Sequence, residues 1–180
     1  MAAKRAYDIV AAAAFLNATA ARLQATDWFI EQSWLISVHH FPAPPAEPES
    51  ATLQIFKAHW YNDDHQGIHF ETFLSGAEWR AQEMPVMMHI LHTDCVPGTA
   101  IKRIKLSQPF IDKTEAMIAT WPSYVFRTGK YGTHPFTRKI KINTDNSARG
   151  SSEIAAELAR MCKNLGPIMD ETLAELLATT

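Results

Sequence analysis

The chain predicts an α+β fold: a mainly antiparallel sheet of about six to seven strands with N-terminal, central and C-terminal helices packed on it. Three observations carry that prediction. Runs rich in aromatic and β-branched residues follow one another through short connections, which favours antiparallel neighbours. Segments with apolar residues every three or four positions stand at both ends of the chain and once in between. The run from Pro85 to His92 is apolar at odd and even positions alike, as a strand covered on both faces must be. With 180 residues, the whole length, 1–180, reads as a single α+β domain.

The first helix is expected over residues 3–25, where Ile9, Ala13, Leu16, Ala20 and Leu23 make one apolar stripe on an alanine-rich segment. Lys4-Arg5 followed by the apolar run Ile9 to Leu16 resembles the start of a signal peptide. Asp8 before the run, and Asn17 and Arg22 soon after it, argue instead for an ordered helix. Ser33 to His40 reads as a strand, with a helix through 28–38 as the competing reading. Phe41 to Ser50 holds Pro42, Pro44, Pro45 and Pro48 and predicts a loop of polyproline character.

Thr52 to Leu74 reads as a β-hairpin whose polar turn ends at Gly67. Directly opposed strand residues share a face, so apolar must oppose apolar. That condition pairs Trp60 with Ile68, Ala58 with Phe70 and Phe56 with Thr72, and it places His59 opposite His69 and Lys57 opposite Glu71. A helical turn is expected near Ala77 to Glu83. Thr99 to Leu106 alternates basic and apolar residues as a half-exposed strand would. Ser107 reads as the N-cap of the central helix, with Pro109 in its first turn. Tyr124 to Arg127 and Phe136 to Ile142 form a second hairpin, and Asn143 to Gly150 a polar loop. From Ser151 a C-terminal helix begins, and Gly166-Pro167 predicts a break into two.

Composition narrows the function classes. Hydrophobic residues make up 47% and charged residues 20%, which excludes a disordered chain. Two cysteines, Cys95 and Cys162, exclude a disulfide framework and suit a reducing, cytoplasmic setting in which both are small core residues. No stretch reaches the length of a membrane span, so no membrane partner is expected. Phosphate-loop, GxSxG and HExxH patterns are all missing.

Two clusters carry candidate chemistry. The predicted hairpin face offers His59, His69 and Glu71, with His89 on a neighbouring strand, a set of imidazoles and a carboxylate suited to a divalent metal as cofactor. The competing reading is a surface ion pair between Lys57 and Glu71 among half-exposed histidines, with no cofactor. The second cluster is basic. Residues 1–100 hold 5 Lys/Arg against 11 Asp/Glu and residues 101–142 hold 9 against 2. Lys102, Arg103, Lys105, Arg127, Lys130, Arg138, Lys139 and Lys141 lie among Tyr124, Phe126, Tyr131 and Phe136, a mixture that can neutralise phosphates and stack bases of a nucleic acid. Internal compensation by the acidic ends is the competing account, and an overall pI near 6.4 argues against nucleic acid.

Taken together, the sequence favours a protein-interaction module of adaptor, chaperone or immunity type, acting on a protein partner or on itself as a homodimer. Trp28, Phe29, Trp34 and Trp79 are candidate interface anchors, with ordinary core the favoured reading of the four. A metal-dependent hydrolase is the alternative, and nucleic-acid binding the third reading.

Overall fold

The computed structural model describes residues 6–41, 49–144 and 147–179. Helix α1 (Ile9–Gln24) and the short α2 (Asp27–Glu31) lead into β1 (Leu35–Phe41). β2 (Ser50–Phe56), a 3₁₀ turn (Ala58–Trp60), β3 (His69–Ser75), α3 (Gly76–Ala81) and β4 (Glu83–His89) follow. The chain then forms α4 (Arg103–Ala119), β5 (Val125–Phe126), β6 (Phe136–Lys141) and the long α5 (Ser147–Ala178). All strands join one antiparallel sheet in the order β1-β2-β3-β4-β6-β5. The fold is the α+β sheet with N-terminal, central and C-terminal helices that the sequence predicts. Pro42, Pro44, Pro45 and Pro48 lie outside the described residues.

Register decides what each face carries. Ala51, Leu53 and Ile55 of β2 stand opposite Leu74, Thr72 and Phe70 of β3, and Val86 and Met88 of β4 continue the rows. This face is packed under α1 and α5 and forms the core with Phe15, Leu16, Ile154, Leu158 and Leu165. Asp8 is the N-cap of α1, its carboxylate accepting the N–H groups of Val10 and Ala11 at 3.0 Å. The residue that argues against a signal peptide is thus the one that starts the helix. On the core face, Arg138 of β6 reaches Glu157 of α5 at 2.7 Å. Glu157 also takes hydrogen bonds from the Arg160 guanidinium and, at 2.6 Å, the Tyr124 hydroxyl. Burial, reinforced by the Glu157 charge, pushes the Tyr124 phenol well above its ordinary range.

Four sequence expectations are corrected. The 52–74 hairpin does not pair as expected: Gln54, not Lys57, opposes Glu71, and Ile55, not Ala58, opposes Phe70. The strand ends at Phe56 because Lys57, His59 and Trp60 all turn toward Asp170 of α5, where the indole N–H donates at 2.8 Å. Residues 99–106 are not a strand. Lys102 makes one bridge with Cys95, and α4 starts at Arg103, where the backbone N–H of Arg103 bonds the Asp94 carbonyl. Ser107 is therefore inside the helix and buried, its hydroxyl donating to the Tyr131 carbonyl.

The predicted break at Gly166-Pro167 is absent, for α5 runs through it. Gly166 serves contact instead of termination: a Cβ there would stand 2.6 Å from the Trp34 ring. Phe29, Trp34 and Trp79 are core side chains, as the favoured reading of them has it, and Trp28 packs partly buried against Phe29. Cys162 is buried, and burial raises its thiol well above the usual range; Cys95 is only half-buried.

Candidate metal centre

The opposite face of the sheet carries a different population. Ser37, Gln54, Glu71, Met87 and Thr137 make one cross-strand row; His39, Thr52 and Phe73 make another, and His69 opposes His89 directly. The helices α1 and α5 pack on the other face, and Ala77 and Glu78 of α3 border this one. Loop residues 61–67 and 133–134 fold over it, bringing His65 against His39 at 4.2 Å between ring centroids and His134 against His89 at 4.7 Å. His92 also edges His89 at 6.1 Å. Six of the eight histidines therefore gather around Glu71 or its strand neighbours.

Local sequence explains the loop that closes the site. Tyr61 and His65 take left-handed backbone conformations, and Gly67 lies so close to Tyr61 that a Cβ would fall 1.9 Å from its carbonyl oxygen. That approach lets the Gly67 N–H donate to the Asn62 side-chain oxygen at 2.9 Å. The other end of the same amide, Nδ2, donates to Gln54 Oε1 at 3.1 Å. Gln54 Nε2 in turn donates to the His65 carbonyl and to Glu71 Oε2, both at 3.2 Å.

These bonds fix every orientation in the chain, because an amide oxygen only accepts and an amide nitrogen only donates. Asn62 Oδ1 also stands 2.9 Å from His69 Nδ1, so Nδ1 carries a proton. The remaining nitrogen, Nε2, faces Glu71 Oε2 at 3.2 Å. In neutral His69 that nitrogen bears a lone pair, and a lone pair against a carboxylate oxygen requires a cation between or beside them: a proton, making the imidazolium, or a metal ion. His69 is fully buried, and Glu71 retains a small exposed edge.

His89 completes the set. One ligand atom each from His69, Glu71 and His89 lie within 4.8 Å of one another. His89 Nε2 is buried and makes no hydrogen bond, while burial, with the neighbouring His69 and His134, lowers its imidazole to about 3. It therefore stays neutral, with its lone pair available, at any physiological pH. Burial alone would raise the Glu71 carboxyl, but the hydrogen bond and charge of His69 outweigh it and hold it at about 2. Glu71 also lines a groove of about 440 Å³ shared with Phe41, Ser50, Thr52, Phe73 and Glu78.

Of the sequence-derived ligand set, the structure brings together His69, Glu71 and His89. His59 stands apart, with Nε2 on Asp170 at 2.8 Å. Asn62, Gln54, His39, His65 and His134 escaped the sequence reading. The signal available for Asn62 was the polar run Asn62 to Gly67, where an Asn precedes a glycine by the span of one tight loop.

The basic cluster is dispersed. Arg138 points to the core face and Glu157, and Lys139 and Lys141 are exposed on β6. Lys105 lies exposed on α4, whereas Lys102, Arg103, Arg127 and Lys130 line a separate cavity. Among the described residues no helix is long and apolar enough to cross a membrane. The chain matches no protein-family model, and comparison with curated proteins and with solved structures finds no significant match.

Proposed function

We propose that the protein is a divalent-metal-dependent hydrolase whose ion is held by His69 Nε2, Glu71 and His89 on the sheet face opposite α1 and α5. The observation that carries this reading is the 3.2 Å approach of His69 Nε2 to Glu71 Oε2, with Nδ1 already committed to Asn62, beside the unpartnered His89 Nε2. Two imidazoles and a carboxylate suit Zn²⁺ or Mn²⁺, and three protein ligands leave positions for water and substrate, the arrangement of catalytic rather than structural sites. Glu71 supplies the access, since it faces both the ligand set and the groove. A bound ion there supplies a polarised water and a Lewis acid. The protein's own part is to keep the His89 imidazole neutral, to lock His69 through Asn62 and to exclude water on the buried side.

The test is calorimetric titration of Zn²⁺ and Mn²⁺ into the wild type and Glu71→Gln. The wild type should bind one ion with release of protons, and the variant should bind far more weakly. Equal weak heats in the two proteins would leave the proton as the occupant of the gap. Loss of ester or phosphoester hydrolysis on chelation, and its return with added metal, then separates an enzyme from a metal-binding module.

A second reading, protein interaction, rests on β1. It is an edge strand of seven residues with Leu35 and Phe41 exposed on it, a form that accepts an added strand from a partner or a second copy. Light scattering coupled to size-exclusion chromatography checks it: a dimer near 40 kDa, twice the 20.2 kDa chain, is the expected result.

A further inference from the structure

The cavity of about 700 Å³ between the start of α4 and the turn at 127–132 is distinct from the histidine site. Its walls are Asp94 and Cys95 on one side, Lys102 to Ile104 along the bottom, and Arg127 to Gly132 on the other. Two of its four cations have work elsewhere. Arg103 Nη1 donates to the carbonyls of Leu91, His92 and Thr93 at 3.1, 3.0 and 3.1 Å, which shapes the wall. Lys130 is paired with Glu115 at 2.7 Å. The Lys102 and Arg127 side chains are exposed and make no hydrogen bond or ion pair among the described residues, while the exposed Asp94 carboxylate in the same wall stands 3.7 Å from Arg103 Nη2.

Two further features favour an anion there. Lys102, Arg103 and Ile104, the N-cap and first residues of the 17-residue helix α4, line the cavity; Lys102 gives no side-chain cap, and the Arg103 N–H is taken by the Asp94 carbonyl. Gly129 sits in the wall with an ordinary backbone conformation, and a Cβ added to it would meet nothing within 4 Å. Packing within the protein therefore does not require glycine at 129. Ile104 and Tyr131 give the cavity apolar surface beside the charges.

We propose that this cavity binds a small organic phosphate monoester, its phosphate held by Lys102 and Arg127 and its apolar body laid along Ile104 and Tyr131. The dianion matches two free cations and a helix N-terminus better than a single carboxylate does. A nucleic acid strand is disfavoured because Arg138, Lys139 and Lys141 do not extend the cavity into a continuous basic track.

Phenyl phosphate is the probe. Calorimetry in 50 mM salt should give one site with a dissociation constant below about 1 mM, and benzoate should bind at least about tenfold more weakly. The Lys102→Gln/Arg127→Gln double variant should lose about tenfold or more in affinity at an unchanged melting temperature. Gly129→Leu should fold equally well and block binding, because its side chain enters open space. Cys95 provides an independent readout, since phenyl phosphate should slow its alkylation by iodoacetamide in the wild type and not in the double variant. The proposal is overturned if phenyl phosphate gives no saturable heat or binds wild type and double variant alike. It is equally overturned if a single-stranded 12-mer binds more tightly than phenyl phosphate through Lys139 and Lys141.

Discussion

Asn62 dictates which nitrogen of His69 is free. Its side-chain oxygen, oriented by the Gly67 N–H and by the partner amide of Gln54, takes the Nδ1 proton at 2.9 Å and leaves Nε2 turned to Glu71. Partners of this kind orient a ligand without touching the ion. Replacing one costs about 10- to 100-fold in metal affinity.

Asn62→Leu should therefore weaken Zn²⁺ binding by about that factor, while Asn62→Asp, which keeps an acceptor, should retain most of it. Asn62→Leu also strands the Gly67 N–H, costing about 1–3 kcal/mol of stability. Titration calorimetry paired with urea unfolding separates the two effects. Undiminished affinity in Asn62→Leu would show that His69 is not a ligand.

A second prediction concerns acid stability. His39 is held down to about 4 by burial first and by the facing His65 second, and both its ring nitrogens are buried without partners. Between its ordinary value of 6.5 and about 4, the unfolded chain binds a proton that the folded chain refuses. Stability must therefore fall as pH drops through that window. His39→Phe keeps a ring to stack on His65 and removes the titration. Its melting temperature should decline less between pH 7 and pH 4 than that of the wild type. Parallel curves would contradict the assignment.

The contact of α5 with Trp34 gives a third. Gly166→Ala would add intrinsic helix propensity of about 1 kcal/mol, yet its methyl carbon meets the indole at 2.6 Å. Overpacking of a tight contact costs about 1–3 kcal/mol, so the net change should be destabilising. Chemical denaturation followed by tryptophan fluorescence measures it, and a stabilised variant would show that the helix yields easily.

The fourth is the buried carboxylate of Glu157. Removing it alone, as Glu157→Leu, leaves the Arg138 guanidinium facing the core and should cost about 3–5 kcal/mol. Arg138→Met combined with Glu157→Leu should recover most of that loss, because paired apolar groups need no solvation. A double variant no more stable than Glu157→Leu would refute the coupling.

Much of the fold was legible because its signals are local. The apolar run at β4 is buried along nearly its whole length, as its sequence pattern requires. What escaped was decided by partners far along the chain. Nothing near Lys57, His59 and Trp60 announces that all three meet Asp170, more than a hundred residues away, and that contact ends the strand and shifts the register. The apparent alternation from Ile101 to Leu106 was too short to discriminate. Ile104 is exposed and Leu106 begins the helical buried set continued by Phe110, Ile111 and Thr114. At the site, chemistry at Glu71, His69 and His89 was visible from residue type. The amide of Gln54 was not, since a lone amide between Leu53 and Ile55 has no distinguishing pattern, and Asn62 showed only as the start of a polar run.

The strand order also sets a schedule for synthesis. The first four strands form an unbroken meander that is complete when His89 leaves the ribosome. The face of that meander destined for the core is shared between α1, made before it, and α5, whose buried residues extend to Leu173. About eighty residues separate the two events, roughly 4–16 s of elongation at ordinary rates. During that interval Phe70, Val86 and Met88 lack their C-terminal cover, so the nascent meander is the species of this protein most in need of a chaperone.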